Sequence, residues 1–399
     1  MKIVEIRPWL TATSYAAREY LFVEVVTNEG ISGWGEITTY PGPVANKAVA
    51  GILGNLTELL KGDDPARIEA VWNKVFRSFT YVGTRGAVSA VTSAVDIALW
   101  DIRGKALGLP ICDLLGGRVR DTIPLYTHPQ EASEPRKAAA DARRVVAAGY
   151  RAFKIDPFIH SLIEHHTGYL DGRISRKGEE EGVEIVAAVR EAVGPDVEIL
   201  IDAHAMYNVP TAIRLANRLA PYSIHWFEEP VPPESLQALR QVREQMGVRI
   251  SVGERLHTRW EVLPVLAGGL TDFLMPDVTW TGGISELKKI STLAEAYYVP
   301  MSPHDAGGPV NVLAGAHVMA TVPNFYRLET SQASLDFYNP MIDEPLQIRN
   351  GELVLPKRPG LGVELNRDYL KKNPSKGVGA WSNPKLLFGP GKAGRRRRS

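Results

Sequence analysis

Acidic and histidine residues close a series of short apolar segments along this chain, and residues of these types could perform acid–base chemistry. Asp202, Glu228 and Glu254 each end such a segment, and 26 residues separate each from the next. Later segments end in or contain Asp277, His304 and Glu329. The carboxyl ends of parallel barrel strands converge on one site, so we expect these side chains to meet.

Three carboxylates brought together repel one another and raise each other's pKa. A hard divalent cation removes that repulsion, and a set of oxygen ligands favours Mg²⁺ over zinc. The alternative is that each acid is exposed to solvent or forms its own salt bridge. Because the spacing of Asp202, Glu228 and Glu254 corresponds to one strand–helix unit per step, the sequence predicts a Mg²⁺ site.

Such a cation, held beside a carboxylate substrate, would stabilise the dianion that forms when an α-proton leaves. His304 is the candidate base. Asp277 would bind the other ring nitrogen and fix the tautomer of the imidazole. Glu329, if held protonated, would donate to or polarise the developing enolate oxygen.

Two patterns describe the elements that must position these residues. Residues 1–120 mix strand and helix patterns and indicate an α+β unit, in which "YLFVEVVTNEGISGWGE" predicts a hairpin. From about residue 123, eight short apolar segments alternate with helical stretches, which predicts a parallel (β/α) barrel over residues 121–340. We expect residues 341–390 to pack on the first unit and residues 391–399 to form a basic tail.

Composition limits the class of protein. The 44% hydrophobic and 23% charged content is that of a globular chain. The net charge is +1, and it falls to −4 without Lys392 and the four arginines of the tail, so we expect no nucleic-acid partner. The sequence shows neither a membrane-length apolar run nor a signal-peptide pattern. With a single cysteine, Cys112, these features predict a cytoplasmic protein without a membrane partner.

The stretch "SAVDIALWDIRGKALGLPICDLLGG", the Asp202–Glu228–Glu254 triad and the Asp277/His304 pair resemble the enolase superfamily, mandelate racemase subgroup, over about residues 1–370. That resemblance implies an α/β fold, a (β/α)₇β modified TIM barrel with an N-terminal α+β capping domain completed by the C-terminal segment. It also implies Mg²⁺-assisted removal of a proton α to a carboxylate and lid loops near residues 10–20 and 38–46. We further expect a homo-oligomer.

Departures from the subgroup indicate the reaction. Racemases and cycloisomerases that this chain resembles carry Lys-x-Lys on the second barrel strand, whereas this chain has Lys154 and Asp156. A second base is therefore missing, which disfavours racemisation. The motif from Asp202 to His204 resembles gluconate-, galactonate- and arabinonate-type dehydratases, in which His204 would protonate the leaving 3-hydroxyl. The resulting prediction is a Mg²⁺-dependent aldonate dehydratase, a hydro-lyase that takes the C2 proton and forms a 2-keto-3-deoxy acid.

Two other functions stay open at this point: an epimerase or racemase of acid sugars or amino-acid derivatives, and a non-catalytic binding protein with the same fold. Lys154 would hold the substrate carboxylate or orient Asp156. His257 would reach a distal hydroxyl of the substrate or lie at the surface. The insertion that contains His160, His165 and His166 is interpreted as a polar lid over a small aldonate rather than as a metal site.

Overall fold

The computed structural model describes residues 1–13, 19–37, 43–129, 133–159 and 174–375. Three predicted features lie wholly or largely outside the described residues: the inner parts of both lid loops, the histidine-containing insertion, and the basic tail 391–399.

The N-terminal unit is built on a three-stranded antiparallel sheet in the order β1–β2–β3. The strands are β1 (Ile3–Ala12), β2 (Glu19–Thr27) and β3 (Ser32–Glu36). The predicted hairpin is confirmed, since β2 and β3 pair across the turn that contains Gly30. Four helices follow: α1 (Pro43–Leu60), α2 (Ile68–Ser78), α3 (Ala87–Leu107) and α4 (Ile111–Leu114).

Two glycines of β3 let the backbone of α3 approach the sheet. A Cβ atom placed on Gly33 would lie 2.1 Å from the carbonyl oxygen of Ala98, and one on Gly35 would lie 1.9 Å from that of Ala94. Any side chain at these two positions would therefore push α3 away. Trp34 lies between the glycines, is fully buried, and donates from Nε1 to Glu364 at 2.9 Å.

Eight parallel segments close the predicted barrel. They are β4 (Thr122–Tyr126), β5 (Ala152–Ile155), β6 (Glu198–Asp202), β7 (Trp226–Glu228), β8 (Ile250–Val252), β9 (Phe273–Leu274), the residue Met301, and β10 (Leu328–Glu329). Strands β5 to β9 pair in chain order. Parallel bridges between Thr127 and Phe153 and on both sides of Met301, together with the β10–β4 pair, complete the ring.

The seventh predicted strand, "VPMSPH", is shorter than expected. Only Met301 forms bridges, one to Leu274 and one to Phe325. Pro300 and Pro303 flank it, and proline has no backbone N–H to contribute to a ladder. The strand is therefore reduced to a single pairing residue, and His304 follows it in irregular backbone.

In the part of the chain that the structure describes, a helix follows each of the first seven barrel segments, as the (β/α)₇β pattern requires. They are α5 (Pro135–Ala147), α6 (Arg176–Val193), α7 (Val209–Leu219), α8 (Leu236–Gln245), α9 (Thr258–Ala267), α10 (Gly283–Ala296) and α11 (Pro309–Met319). The side chains of Ser175, Asn208 and Ser235 cap three of them by accepting a backbone N–H. Within the described ranges, no helix has both the length and the apolar character needed to cross a bilayer.

The chain after the barrel returns to both parts of the molecule. It contains α12 (Gln332–Tyr338), β11 (Ile348–Arg349), β12 (Glu352–Val354) and α13 (Arg367–Lys372). Strand β12 pairs antiparallel with barrel strand β4, whereas Thr11 of β1 bridges Pro374 and Glu24 of β2 accepts from Arg367. The boundaries that we placed at residues 120, 340 and 390 stay predictions.

Two buried aspartates of α3 join the N-terminal unit to the rest of the chain. Asp96 accepts from the backbone N–H and the hydroxyl of Ser285 at 3.0 and 2.6 Å, at the start of α10. Burial raises the pKa of Asp96 to about 7. Asp101 accepts from the backbone N–H groups of Trp34 and Leu361 at 3.0 and 2.9 Å. Helix α3 thus holds the sheet, the barrel and the C-terminal segment in one arrangement.

A buried histidine on α11 links this helix to α4 and to the C-terminal segment through hydrogen bonds. His317 is fully buried; its Nε2–H donates to the carbonyl of Leu361 at 3.1 Å, and Nδ1 accepts from the backbone N–H of Cys112 at 3.4 Å. These two partners require the neutral ring. Burial lowers the pKa of His317 to about 4.

This arrangement predicts a loss of stability in mild acid. Between pH 6.5 and pH 4 the unfolded chain binds a proton at residue 317 that the folded chain does not bind. The free energy of unfolding should therefore fall as pH decreases, by up to about 1.4 kcal/mol per pH unit from this one group. Replacement of His317 by Gln keeps the donor to Leu361 and should reduce that slope in urea unfolding curves. An unchanged slope would contradict the assignment.

Candidate active site

Three acidic side chains meet at the carboxyl end of the barrel. Asp202 and Glu228 are the last residues of β6 and β7, where they pair in register, and Glu254 follows β8 by two residues. One carboxylate oxygen from each lies within 4.8 Å of the others. All three side chains are buried, so the strand ends bring together the predicted triad.

Lys154 of β5 lies among these carboxylates. Its Nζ is 3.1 Å from Asp202, 2.6 Å from Glu228 and 2.8 Å from Glu329. Burial lowers the pKa of Lys154, but the surrounding carboxylates, Asp202 first, raise it well above its ordinary value. These contacts place Lys154 within the acidic cluster, and its predicted roles, binding the substrate carboxylate or orienting Asp156, stay predictions.

The charges in this region do not balance. Three buried carboxylates, those of Asp202, Glu228 and Glu329, contact the one ammonium of Lys154, and the fourth, Glu254, pairs with the half-buried Arg255. Burial and the charge of Asp202 raise the pKa of Glu228 well above its ordinary value. A bound cation would remove that cost, and three carboxylates with no sulfur or imidazole in the set suit Mg²⁺. The residues present therefore fit the predicted metal, with Asp202, Glu228 and Glu254 as its ligands.

His304 lies beside this triad and forms a pair with Asp277. The Nδ1 atom of His304 is 2.8 Å from Oδ2 of Asp277, and its Nε2 is 3.1 Å from Glu254. The ring of Trp280 lies 5.1 Å from the imidazole, centroid to centroid. Asp277 orients the ring, and Nε2 is the nitrogen directed at the site.

The charge of Glu254 also affects the protonation of His304. Burial lowers the pKa of His304, but the neighbouring carboxylates, Glu254 foremost, raise it to about 9. A cation bound to Glu254 would offset that charge and so favour the neutral ring that can accept a proton.

His204 forms a second histidine–carboxylate pair on the other side of the triad. Its Nδ1 is 2.8 Å from Asp156 and 3.5 Å from Asp202. Burial lowers the pKa of His204, but the charges of Asp202 and Asp156 raise it to about 9. A ring held protonated near neutral pH can donate a proton.

Strand alternation is not what places His204. Strand β6 ends at Asp202, and both His204 and Ala205 have positive φ, at 49° and 54°. The backbone N–H of His204 donates to the carboxylate of Asp202 at 2.8 Å. A tight turn in a rarely populated backbone region thus directs the ring toward Asp202, and such strain is typical of functional sites.

Several hydrogen-bonding groups contact the carboxylate of Glu329. It accepts from the hydroxyl of Tyr126 at 2.8 Å and from the backbone N–H of Asp305 at 3.2 Å, and it contacts Nε2 of His128. Burial raises the pKa of Glu329, but the charges of Lys154 and His304 hold it well below its ordinary value. These donors favour the ionised carboxylate, so the role that we predicted for a protonated Glu329 stays a prediction.

Four described residues at the strand ends contact the site but were not predicted from the sequence. Tyr126 and His128 hold Glu329, and they end the first barrel segment, "IPLYTH", so the strand-end pattern could have identified them. Arg255 donates to the carbonyl of His204 at 3.2 Å and forms an ion pair with Glu254. Glu229 accepts from the backbone N–H of Gly253 at 2.7 Å.

Among the described residues, His257 contacts Glu261 rather than the acidic cluster. Its Nδ1 lies 3.3 Å from Oε2 of Glu261, and its backbone N–H donates to the same oxygen. Glu261 in turn accepts from Arg85 at 2.8 Å. The structure thus places His257 immediately before α9, in contact with Glu261.

Comparison with protein families agrees with the geometry. Residues 2–116 match the family model described as mandelate racemase / muconate lactonizing enzyme, N-terminal domain. Residues 137–369 match the one described as enolase C-terminal domain-like. A solved member of the enolase superfamily from Salmonella Typhimurium superposes with a TM-score of 0.87 at 31% identity, covering 94% of this chain and 98% of that one.

Several relatives with an assigned activity are similar to this chain over most of its length. A D-galactarolactone cycloisomerase of Agrobacterium fabrum is 35% identical, covering 88% of this chain and 90% of the relative. A D-gluconate dehydratase of Thermoproteus tenax is 33% identical, covering 88% and 69%. An arabinonate dehydratase of Saccharolobus solfataricus is 32% identical, covering 87% and 88%.

The acidic triad predicts stabilisation by Mg²⁺. A cation that binds the folded chain and not the unfolded one adds about 2.7 kcal/mol at one hundred times its Kd. We expect the melting temperature to rise with Mg²⁺ concentration, and Glu254→Gln to abolish the rise. Glu295→Gln, at an exposed position on α10, is the matched control and should keep it. A rise that survives Glu254→Gln would exclude this residue as a ligand.

Proposed function

The chain belongs to the mandelate racemase / muconate lactonizing enzyme family of the enolase superfamily, and from that premise we propose that it is a Mg²⁺-dependent sugar-acid dehydratase. Its substrate would be an aldonate, and its product the 2-keto-3-deoxy acid that remains after loss of water across C2 and C3. Named dehydratases among its relatives support this class of reaction.

The observation that carries the proposal is the presence of two histidine–carboxylate pairs that contact different members of one acidic triad. His304 contacts Glu254, at one end of the triad, and His204 contacts Asp202, at the other. An elimination needs a base for the carbon-bound proton and an acid for the departing hydroxyl. One histidine is available for each task.

The steps assigned to the chain follow from these positions. Nε2 of His304 removes the C2 proton, and Asp277 holds the other ring nitrogen so that the imidazolium is stabilised. When bound, Mg²⁺ supplies positive charge that stabilises the developing enediolate. His204 then donates its proton to the 3-hydroxyl, which leaves as water, and Asp156 orients that ring. The enol product tautomerises to the 2-keto acid.

The surroundings of Lys154 argue against a racemase. A racemase needs a second base on the opposite face of C2. Lys154 is fully surrounded by carboxylates that keep it charged, so it cannot accept a proton. Asp156 replaces the second lysine and already binds His204. The complete site counts against a non-catalytic role.

A sugar-acid lactone is a second candidate substrate, because the 35% identical relative is named D-galactarolactone cycloisomerase. The same base could remove a proton α to the carboxylate in such a molecule. In that case the oxygen that leaves the neighbouring carbon would be part of a ring rather than a hydroxyl.

A substrate screen tests the proposal. Aldonates, aldarates and galactarolactone are incubated with the enzyme and Mg²⁺, and 2-keto-3-deoxy products are detected by semicarbazide absorbance. We expect a product from an aldonate with the R configuration at C2. Exchange of the C2 proton with deuterium without elimination would instead favour an epimerase. Product from the lactone alone would favour the second candidate.

Substitution of the two histidines should separate the steps. His304→Asn should abolish both C2 deuterium exchange and elimination, because both need the base. His204→Asn should preserve exchange and reduce elimination by a factor of about 10² to 10⁴, the usual contribution of a general acid. His225→Asn, at the opposite end of β7, is the control and should retain both activities. Equal loss of exchange and elimination in His204→Asn would remove its assignment as the acid.

A further inference from the structure

Asp277, the partner of His304, is itself held by three other hydrogen bonds. Its Oδ1 accepts from the backbone N–H and the hydroxyl of Thr279 at 2.7 and 2.6 Å. Its Oδ2, the oxygen that binds His304, also accepts from Nδ2 of Asn311 at 3.2 Å. Asn311 is buried and belongs to the first turn of α11. A residue of the next helix therefore shares the oxygen that orients the proposed base.

The backbone of the same asparagine binds the N-terminal unit. Its N–H donates at 3.0 Å to Oε2 of Glu36, and the N–H of Gly308 donates to Oε1. Glu36 is the last residue of β3 and is fully buried. The first N–H groups of a helix have no partner within the helix and carry partial positive charge. A carboxylate from another unit satisfies them at the start of α11.

Close packing around the contact between Glu36 and the start of α11 restricts the backbone there. A Cβ atom on Gly307 or Gly308 would lie 3.0 or 2.9 Å from Oε1 of Glu36. The carbonyl of Gly307 accepts from the hydroxyl of Tyr338 at 2.6 Å, and Tyr338 packs edge-on against Tyr20 of β2. The turn between His304 and α11 is thus held from two sides by side chains of other elements.

We infer that Glu36 and Asn311 are positioning residues that set the orientation of the His304–Asp277 pair from the N-terminal unit. Glu36 fixes the first turn of α11, which contains Asn311. The hydrogen bond from Nδ2 of Asn311 then holds Asp277 in place, and Asp277 orients the ring of His304. The barrel alone therefore does not fix the orientation of the proposed base, His304. The inference rests on the proposed function for the role of His304, but the contacts themselves are independent of substrate.

The first measurement does not require turnover. In Mg²⁺-loaded enzyme without substrate, ¹⁵N-labelled histidine is observed by NMR, and His304→Asn assigns the ring resonances of residue 304 among the 9 histidines. Glu36→Gln replaces one accepting oxygen by a donor, and Asn311→Ala removes the donor to Asp277. We expect both variants to move the Nδ1 and Nε2 resonances of His304, because its hydrogen-bond partner changes orientation or charge.

Two matched controls exclude general destabilisation. Glu286 is a buried glutamate that accepts from the backbone N–H of Arg259 at 2.7 Å, in the first turn of α9. Asn324 donates from Nδ2 to the carbonyl of Val299 at 2.9 Å, before the segment of Met301. Glu286→Gln and Asn324→Ala should leave the His304 resonances unchanged.

The second measurement uses the substrate found by the screen. In Glu36→Gln and Asn311→Ala the maximal rate of C2 deuterium exchange should fall by about 10- to 100-fold with little change in KM, as is usual when the partner of an orienting residue is lost. If the screen finds no substrate, the proposed function fails while the NMR result still decides the coupling. Resonances of His304 that superimpose on those of the wild type in either variant would overturn the inference.

Discussion

The excess of negative charge at the carboxyl end of the barrel is the constraint on which the rest of the structure depends. One carboxylate oxygen each from the buried Asp202, Glu228 and Glu254 lies within 4.8 Å of the others, with Lys154 against the first two and Arg255 against Glu254. In low dielectric such a group is stable only with a cation or with proton uptake. The fold therefore holds three carboxylates together at a cost in free energy. A divalent cation would require the same arrangement of ligands.

Rigidity comes from outside the ring of strands. Helix α3 contributes two fully buried aspartates, one bound to the start of α10 and the other to β3 and the C-terminal segment. Strand β3 in turn supplies Glu36 to the start of α11. The helices that follow the sixth and seventh barrel segments, which carry Asp277 and His304, thus begin on contacts with the N-terminal unit. Packing between the two units and the geometry of the site are parts of one network.

The two histidines to which we assign different tasks have the same arrangement of contacts. Each has Nδ1 against a carboxylate, Asp277 for His304 and Asp156 for His204. Each ring also contacts one member of the triad, Glu254 for His304 and Asp202 for His204. The roles of base and acid that we propose therefore follow from the positions of the two rings around the triad.

The amino-acid sequence alone determined the class of fold and the residues of the triad. Strand ends recur at regular spacing, so the acids at residues 202, 228 and 254 could be assigned to one edge of a barrel before any coordinates. The Asp277–His304 pair followed from the same pattern and lies within hydrogen-bonding distance in the structure. The homo-oligomeric state and the cytoplasmic location stay predictions of the sequence.

Only the tertiary structure decided which side chains pair across the barrel. The contacts of Lys154 with Glu329, of Asp156 with His204, and of Glu36 with Asn311 join residues that are far apart in the chain. Local patterns report which face a side chain lies on and where a strand ends, but ring closure and the docking of α3 select its neighbours. Whether Glu329 is ionised and whether His257 reaches the site depend on those neighbours, and sequence spacing carries no information about them.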